Sequence, residues 1–292
     1  MDGAGDIDTG FSPQAIAALQ AHPRLTEACN HLARASLAHH AAMDSVGRLL
    51  LDDLGRSSLY LAAIVLDKSP DGLTATNLIA ATQANRTSST GRVTEFLRLA
   101  QDAGDLVVPS GAERWTRRRL ILKPRFLERM RRNMSIQIEG ARIIDPALPP
   151  PSVLADDAAL AQFCFWLGAL STMHRDMVAG PWTPIEIFLS RKSGGRILAR
   201  LIADQAPGRA RLMEAVTISR SGLAREFGVS RAHINKMLAD AQAAGALTLS
   251  GSDNVVFTEA FSDNATQTFA LVIQFMRASL RAAFPGRAHA AL

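Results

Sequence analysis

Apolar residues recur at helical spacing through most of the chain. The clearest case is Ile234, Met237, Leu238 and Ala241, at i, i+3, i+4 and i+7, which predicts a helix with one buried stripe. Upstream, Leu223, Ala224 and Phe227 make a shorter apolar edge and predict a helix from Arg220 to Phe227. Ser219 and Ser230 stand just before the two stretches, where a hydroxyl accepts from an otherwise unpaired first-turn amide. Gly228 lies between them and tolerates the left-handed backbone of a tight turn. Gly245 ends the second helix. "ALTLS" and "VVFT" then flank "GSDN", which predicts two short strands and a hairpin turn.

A second, less regular version of this pattern lies upstream. Thr74 caps a predicted helix containing Leu78 and Ala81, and Val93 and Leu97 mark the next one. Leu78 and Val93 are 15 residues apart, against 11 for Leu223 and Ile234, so "TQANRTSST" reads as a loop about four residues longer. Gly91 weakens the start of the following helix by up to about 1 kcal/mol relative to Ala. "DLVV" and "RLIL" flank "PSGAERWTRR" as a second hairpin.

The two versions belong to a longer repeat. Leu25, Cys29, Leu32, Ser36 and His39 match Leu160, Cys164, Leu167, Ser171 and His174 at an offset of 135. Leu51, Leu59 and Ile64 match Leu189, Ile197 and Ile202 at 138. Val93, Leu97, Gln101 and Gly104 match Ile234, Leu238, Gln242 and Gly245 at 141. The blocks keep their order, so the chain reads as two copies of one domain, 1–147 and 148–292, with cores at about 57–125 and 190–260. Three consecutive prolines in "DPALPPPS" (145–152) predict a stiff extended linker between them.

Composition agrees with a mainly α fold bearing small β-hairpin wings. Apolar residues make 48% of the chain, charged residues 20%, and 292 residues suffice for about two domains. The most apolar stretch, "AALAQFCFWLGALSTM", contains Gln162 and is too short for a membrane span, so a core helix is expected. The opening "MDGAGDIDTGF" has no leader-like apolar run, and the two cysteines make no disulfide scaffold, so a cytoplasmic protein is expected. Charge changes the picture most. Residues 113–132 hold nine Arg or Lys and two Glu, a balance of +7 in a chain whose net charge is +5. A basic stripe on a near-neutral body points to a polyanion.

Helix, tight turn, helix and hairpin, built around "GVSRAHINKML", resemble the winged helix-turn-helix of catabolite-activator-type and MarR-type bacterial transcription regulators over residues 190–260. The resemblance implies a double-stranded DNA partner, with the second helix in the major groove and its first residues at the base edges. On that reading Arg231, His233, Asn235 and Lys236 meet bases, while Ser219 and Ser230 meet phosphates. Arg86, Ser89, Thr90 and Arg92 are the DNA-contact candidates of the first copy, should the base-reading helix lie there. Arg114, Arg117, Arg118 and Arg119 fall in or beside its wing, suited to the backbone or the minor groove. Trp115 is expected to pin that wing to the body, with stacking or wedging as the alternative. The longer loop departs from the family's pattern, so base reading is expected of the second copy and backbone contact of the first.

The expectation is therefore a sequence-specific DNA-binding transcription regulator. Its copies act as a built-in pseudo-dimer, or one of them makes a homodimer. The alternatives are a plasmid-type replication initiator and a tandem winged-helix adaptor that grips other proteins; the latter are usually acidic, and the +7 stripe opposes it. No phosphate loop, nucleophile elbow, His-Glu-x-x-His or dinucleotide fingerprint occurs, so neither an enzyme nor a cofactor is expected. Cys29/His39 and Cys164/His174 are each ten residues apart, about 280° around a helix, and are expected to be core residues rather than metal ligands. His39 and His40 are read as surface histidines without a role, with titration near neutrality as the alternative, and Asp52, Asp53, Asp156 and Asp157 as solvated charges.

Overall fold

Short polar side chains start most of the helices, as the spacing rules require. The computed structural model describes residues 11–51, 54–84, 88–174, 185–206, 209–251 and 253–285. It is mainly helical with two small antiparallel sheets. The first half contains α1 (Pro13–Gln20), α2 (Leu25–Ala42), α3 (Ser45–Leu50), α4 (Leu54–Asp67), α5 (Ala75–Ala84), α6 (Thr90–Asp102) and α7 (Pro124–Ile144). Strands β1 (Leu106–Val107) and β2 (Ile121–Leu122) lie between α6 and α7. The second half contains α8 (Asp157–Met173), α9 (Gly194–Ala203), β3 (Ala215–Thr217), α10 (Arg220–Phe227), α11 (Arg231–Ala243), β4 (Leu247–Ser250), β5 (Asn254–Phe257) and α12 (Glu259–Ala283).

The sheets are small because few residues alternate. β1 pairs with β2 through Leu106 opposite Leu122 and Val107 opposite Ile121. In the second half β5 is central, with Val216 of β3 on one side and Leu249 of β4 on the other, both opposite Val255. In the first half Leu120 N donates to Leu73 O at 2.8 Å, which ties the segment before α5 to the one before β2.

The packing of the helices crosses between the halves. α2 lies against α7 of its own half and α9 of the other, while α8 lies against α12 of its own half and α4 of the other. α7 and α12 also touch. Each leading helix thus buries its apolar stripe partly on the other half, and one connected set of buried residues runs through both. Close approach of α2 to α7 depends on Gly140, where a Cβ would sit 2.5 Å from the Leu32 side chain. Near the first-half sheet the only tyrosine, Tyr60, stacks on Phe126 with ring centroids 3.7 Å apart. Its hydroxyl donates to Phe126 O at 2.9 Å, so the buried polar end is satisfied.

Residues 145–152 correct the expectation of an extended linker. Pro151–Leu154 form a 3-10 turn that packs on α7 and α8, with Leu148, Val153 and Leu154 buried. Arg131 Nε donates to Leu154 O at 2.7 Å, and Arg142 holds Leu148 O. Proline lacks an amide but has the φ of a helical first turn, so a docked turn costs little once apolar neighbours supply burial.

The connection between α5 and α6 is also shorter than predicted. Thr82, Gln83 and Ala84 belong to α5, which has ten residues against eight in α10. Thr82 is buried, and its hydroxyl donates to Leu78 O at 2.9 Å. A threonine satisfied by the preceding turn continues a helix.

Candidate nucleic-acid interface

The second-half unit is set by local rules. Ser219 Oγ accepts from Gly222 N and Ser230 Oγ from His233 N, both at 3.1 Å. Gly228 has φ 63°, and the following amide, Val229 N, donates back to Ala224 O at 3.0 Å. Leu223, Ala224 and Phe227 of α10 and Ile234, Met237, Leu238 and Ala241 of α11 are all buried. That burial fixes which side of α11 faces out.

Arg231 and Asn235 lie on the outward side, four residues apart. The Arg231 side chain is exposed and makes no hydrogen bond or ion pair with a described residue. Asn235 Oδ1 accepts from Arg220 Nη1 at 3.2 Å, which leaves its amide nitrogen available as a donor. Lys236 is exposed too, but pairs with Asp240 at 3.1 Å. Arg191 first, and Lys236 second, hold the Asp240 carboxyl below its ordinary range. His233 is half-buried, with Nε2 3.2 Å from Lys192 O, so it is tied to the segment before α9 rather than aligned with Arg231 and Asn235.

The first-half unit presents a different surface. Ser89 caps α6, accepting from Arg92 N at 3.4 Å, and Thr90 Oγ1 accepts from Gln83 Nε2 at 3.2 Å. Arg92 is half-buried and engaged, and Arg86 lies outside the described residues. The outward side of α6 carries Thr94, Glu95, Arg98 and Gln101. Glu95 pairs with Arg56 at 2.9 Å and Arg98 with Asp102 at 3.7 Å. The loop between β1 and β2 holds the free charge: the Arg114, Arg117 and Arg119 side chains are exposed and bond to no described residue. Arg118 differs, donating to Glu113 O at 2.7 Å and to Gly111 O at 2.6 Å, and so staples the loop. Trp115 remains 44% exposed while lining a cavity of about 210 Å³ with Thr94, Leu97 and Arg98 of α6.

The basic stripe does not form one surface. Arg125 pairs with Asp105 at 2.7 Å. Arg129 bonds to Asp105 and, at 2.9 Å, to Asp44. Arg131 pairs with Asp157 at 2.7 Å and with Glu128 at 2.9 Å. These arginines hold α7 to the residue before β1, to the start of α3 and to α8. Sequence reasoning missed Asp105 and Asp44. The available signal was Asp105 itself, a carboxylate between the helix-ending Gly104 and the apolar strand, where burial demands a cation.

Among the residues weighed as chemical candidates, Cys29 and Cys164 are buried, and burial pushes both thiols up to about 12. A thiol held protonated serves neither as nucleophile nor as ligand near neutral pH. Burial also lowers His39, His40 and His174, with His40 down to about 4. The elements packed on α2 bury one side of each of His39 and His40, and neighbouring arginines oppose a further positive charge. Asp156 caps α8, accepting from Ala159 N at 3.0 Å, while Asp52 and Asp53 lie outside the described residues. Among the described residues no group of His, Cys, Asp and Glu is placed to hold a metal, and no helix is long and apolar enough to cross a membrane. A cleft of about 760 Å³ opens between α4, α5 and α8, lined mostly by Leu61, Val65, Phe165 and other apolar side chains. Compared with known protein families, with curated proteins and with solved structures, the chain matches none.

Proposed function

We propose that the protein is a sequence-specific duplex-DNA-binding transcription regulator built from two winged helix-turn-helix units. The observation that carries this reading is the second-half unit. A capped α10, a left-handed Gly228 and a capped α11 precede the β4–β5 hairpin and leave Arg231 and Asn235 facing solvent at the start of α11. Those are the positions and donor types that reach base edges in a major groove. The unpaired Arg114, Arg117 and Arg119 on the first wing add the planar cations that suit phosphate.

The two units are further read as copies of one domain. In support, the ends of α6 and α11 repeat bond for bond. Gly104 and Gly245 have φ 68° and 72°. Their amides donate to Gln101 O at 2.8 Å and Gln242 O at 2.9 Å. Asp105 N and Ala246 N donate to Ala100 O and Ala241 O, both at 2.9 Å.

Titration of the full chain against labelled genomic fragments at several salt concentrations tests the reading. Neutralising about five phosphates gives a slope of log affinity against log salt near −4 to −5. A salt-independent affinity, or no binding, overturns it. Genome-wide mapping of the tagged protein separates regulation, with peaks at many promoters, from initiation, with one origin-like cluster.

A further inference from the structure

Two observations combine: the crossed packing of the halves and the unequal surfaces of the two units. We infer that one molecule of this chain occupies an asymmetric duplex site in a single orientation, the second half reading bases and the first half gripping the adjoining backbone. The inference rests on the duplex-DNA reading above and adds the form of the site.

The crossing makes the pair of units a closed object. α4 leads into the first unit and carries α8 of the second half; α9 leads into the second unit and carries α2 of the first. Polar bonds stitch the same seam: Arg209 Nη2 donates to Asn30 Oδ1 at 2.6 Å, and Arg281 pairs with Asp145 at 3.0 Å. Separating the halves would uncover the faces on which α2 meets α9 and α8 meets α4. The arrangement that two identical subunits build by association is made here within one chain. A second copy is not needed to present two units to DNA, and the units have a set relation to each other.

Identical subunits have identical readers, which is why they select palindromes. These units are not identical. The second offers Arg231 and Asn235 on its helix, while its hairpin from Leu247 to Phe257 contains no Lys or Arg and one acid, Asp253. The first offers Glu95 and Arg98 on its helix, both held in ion pairs, and Arg114, Arg117 and Arg119 on its wing. Free amide and guanidinium donors on a helix discriminate base edges, whereas exposed guanidinium groups on a loop hold phosphates and favour narrow minor grooves. The complementary partner is a duplex with one information-rich segment and, to one side only, a segment held through its backbone.

The test uses the full chain. Binding sites are selected from a random duplex library, the protein-to-duplex ratio on a selected site is measured by sedimentation, and the complex is footprinted with hydroxyl radicals. The expected result is a motif without dyad symmetry and one protein per duplex. Backbone protection should run past the motif on one side by about one helical turn. Arg114→Ala/Arg117→Ala/Arg119→Ala should remove the one-sided protection and shrink the salt slope by about 2 to 3, leaving the motif unchanged. Arg231→Ala/Asn235→Ala should keep that protection and lower the preference for the motif by at least about tenfold. All five residues are exposed, and unchanged melting temperatures would verify that the variants fold. A palindromic motif bound by two molecules overturns the inference and leaves the duplex-DNA reading standing. Failure to enrich any duplex overturns that reading as well, so the two failures are distinguishable.

Discussion

Replacing Asp105 tests whether the arginines of α7 are interior staples. Its side chain is fully buried between Arg125 and Arg129. In Asp105→Ala, Arg129, itself 9% exposed, keeps one carboxylate, Asp44, whose side chain is 50% exposed. Removing one partner of a buried pair costs about 3–5 kcal/mol, because the remaining charge is left without compensation. The surviving bond to Asp44 puts Asp105→Ala near the lower end, at about 3 kcal/mol. Arg125 is 53% exposed, so Arg125→Ala loses a screened pair and should cost no more than about 1 kcal/mol. Removing both charges with apolar replacements, Asp105→Leu/Arg129→Leu, should recover most of the loss, since well-packed apolar residues replace a buried ion pair at little cost. Urea unfolding at equilibrium measures all four proteins, read as midpoint shifts at constant slope. If Asp105→Ala costs no more than Arg125→Ala, or if the double variant is the least stable of the set, the account of α7 is wrong.

Three further outcomes follow from the same structure. Gly104→Ala and Gly245→Ala meet no atom within 4 Å of the added Cβ, yet each must adopt φ near 70°; each should destabilise by about 1–2 kcal/mol, and markedly unequal losses in urea unfolding would contradict the matched caps. His40 has its imidazole lowered from 6.5 to about 4 by burial, Arg196, Arg48 and His39, so below pH 6.5 the unfolded chain binds a proton that the folded one refuses. Stability should therefore fall between pH 6.5 and 4, by about 1–2 kcal/mol after solvent screening, and a flat profile in wild type, or an equal fall in His40→Gln, would refute it. Arg118→Ala should loosen the first wing, seen as faster amide exchange at residues 111–118, whereas Arg117→Ala should lower DNA affinity and leave exchange unchanged; equal exchange in both would reject the staple.

Much of the second unit was legible in the sequence, because helix boundaries are local events. A hydroxyl one residue before an apolar stripe, a glycine at the turn and spacing of three and four residues decide α10 and α11 within about twenty-five residues, and Ser219, Gly228 and Ser230 sit where those rules put them. The buried faces of α6 and α11 followed from the same periodicity, and with them the outward positions of Arg231 and Asn235. Periodicity says which side of a helix is buried but not what buries it. Only the tertiary structure decided that α2 rests on α9 and α8 on α4, that Pro151–Leu154 dock as a turn, and that His233 turns to Lys192. The nine cations of residues 113–132 show the difference most plainly. Along the chain they are one basic stripe; in space Arg129 meets Asp44 across 85 positions and Arg131 meets Asp157 across 26, while the side chains of Arg114, Arg117 and Arg119 have no partner among the described residues. A charge is spent or available according to whether a partner distant in sequence is brought to it, and that depends on the packing of apolar faces in three dimensions.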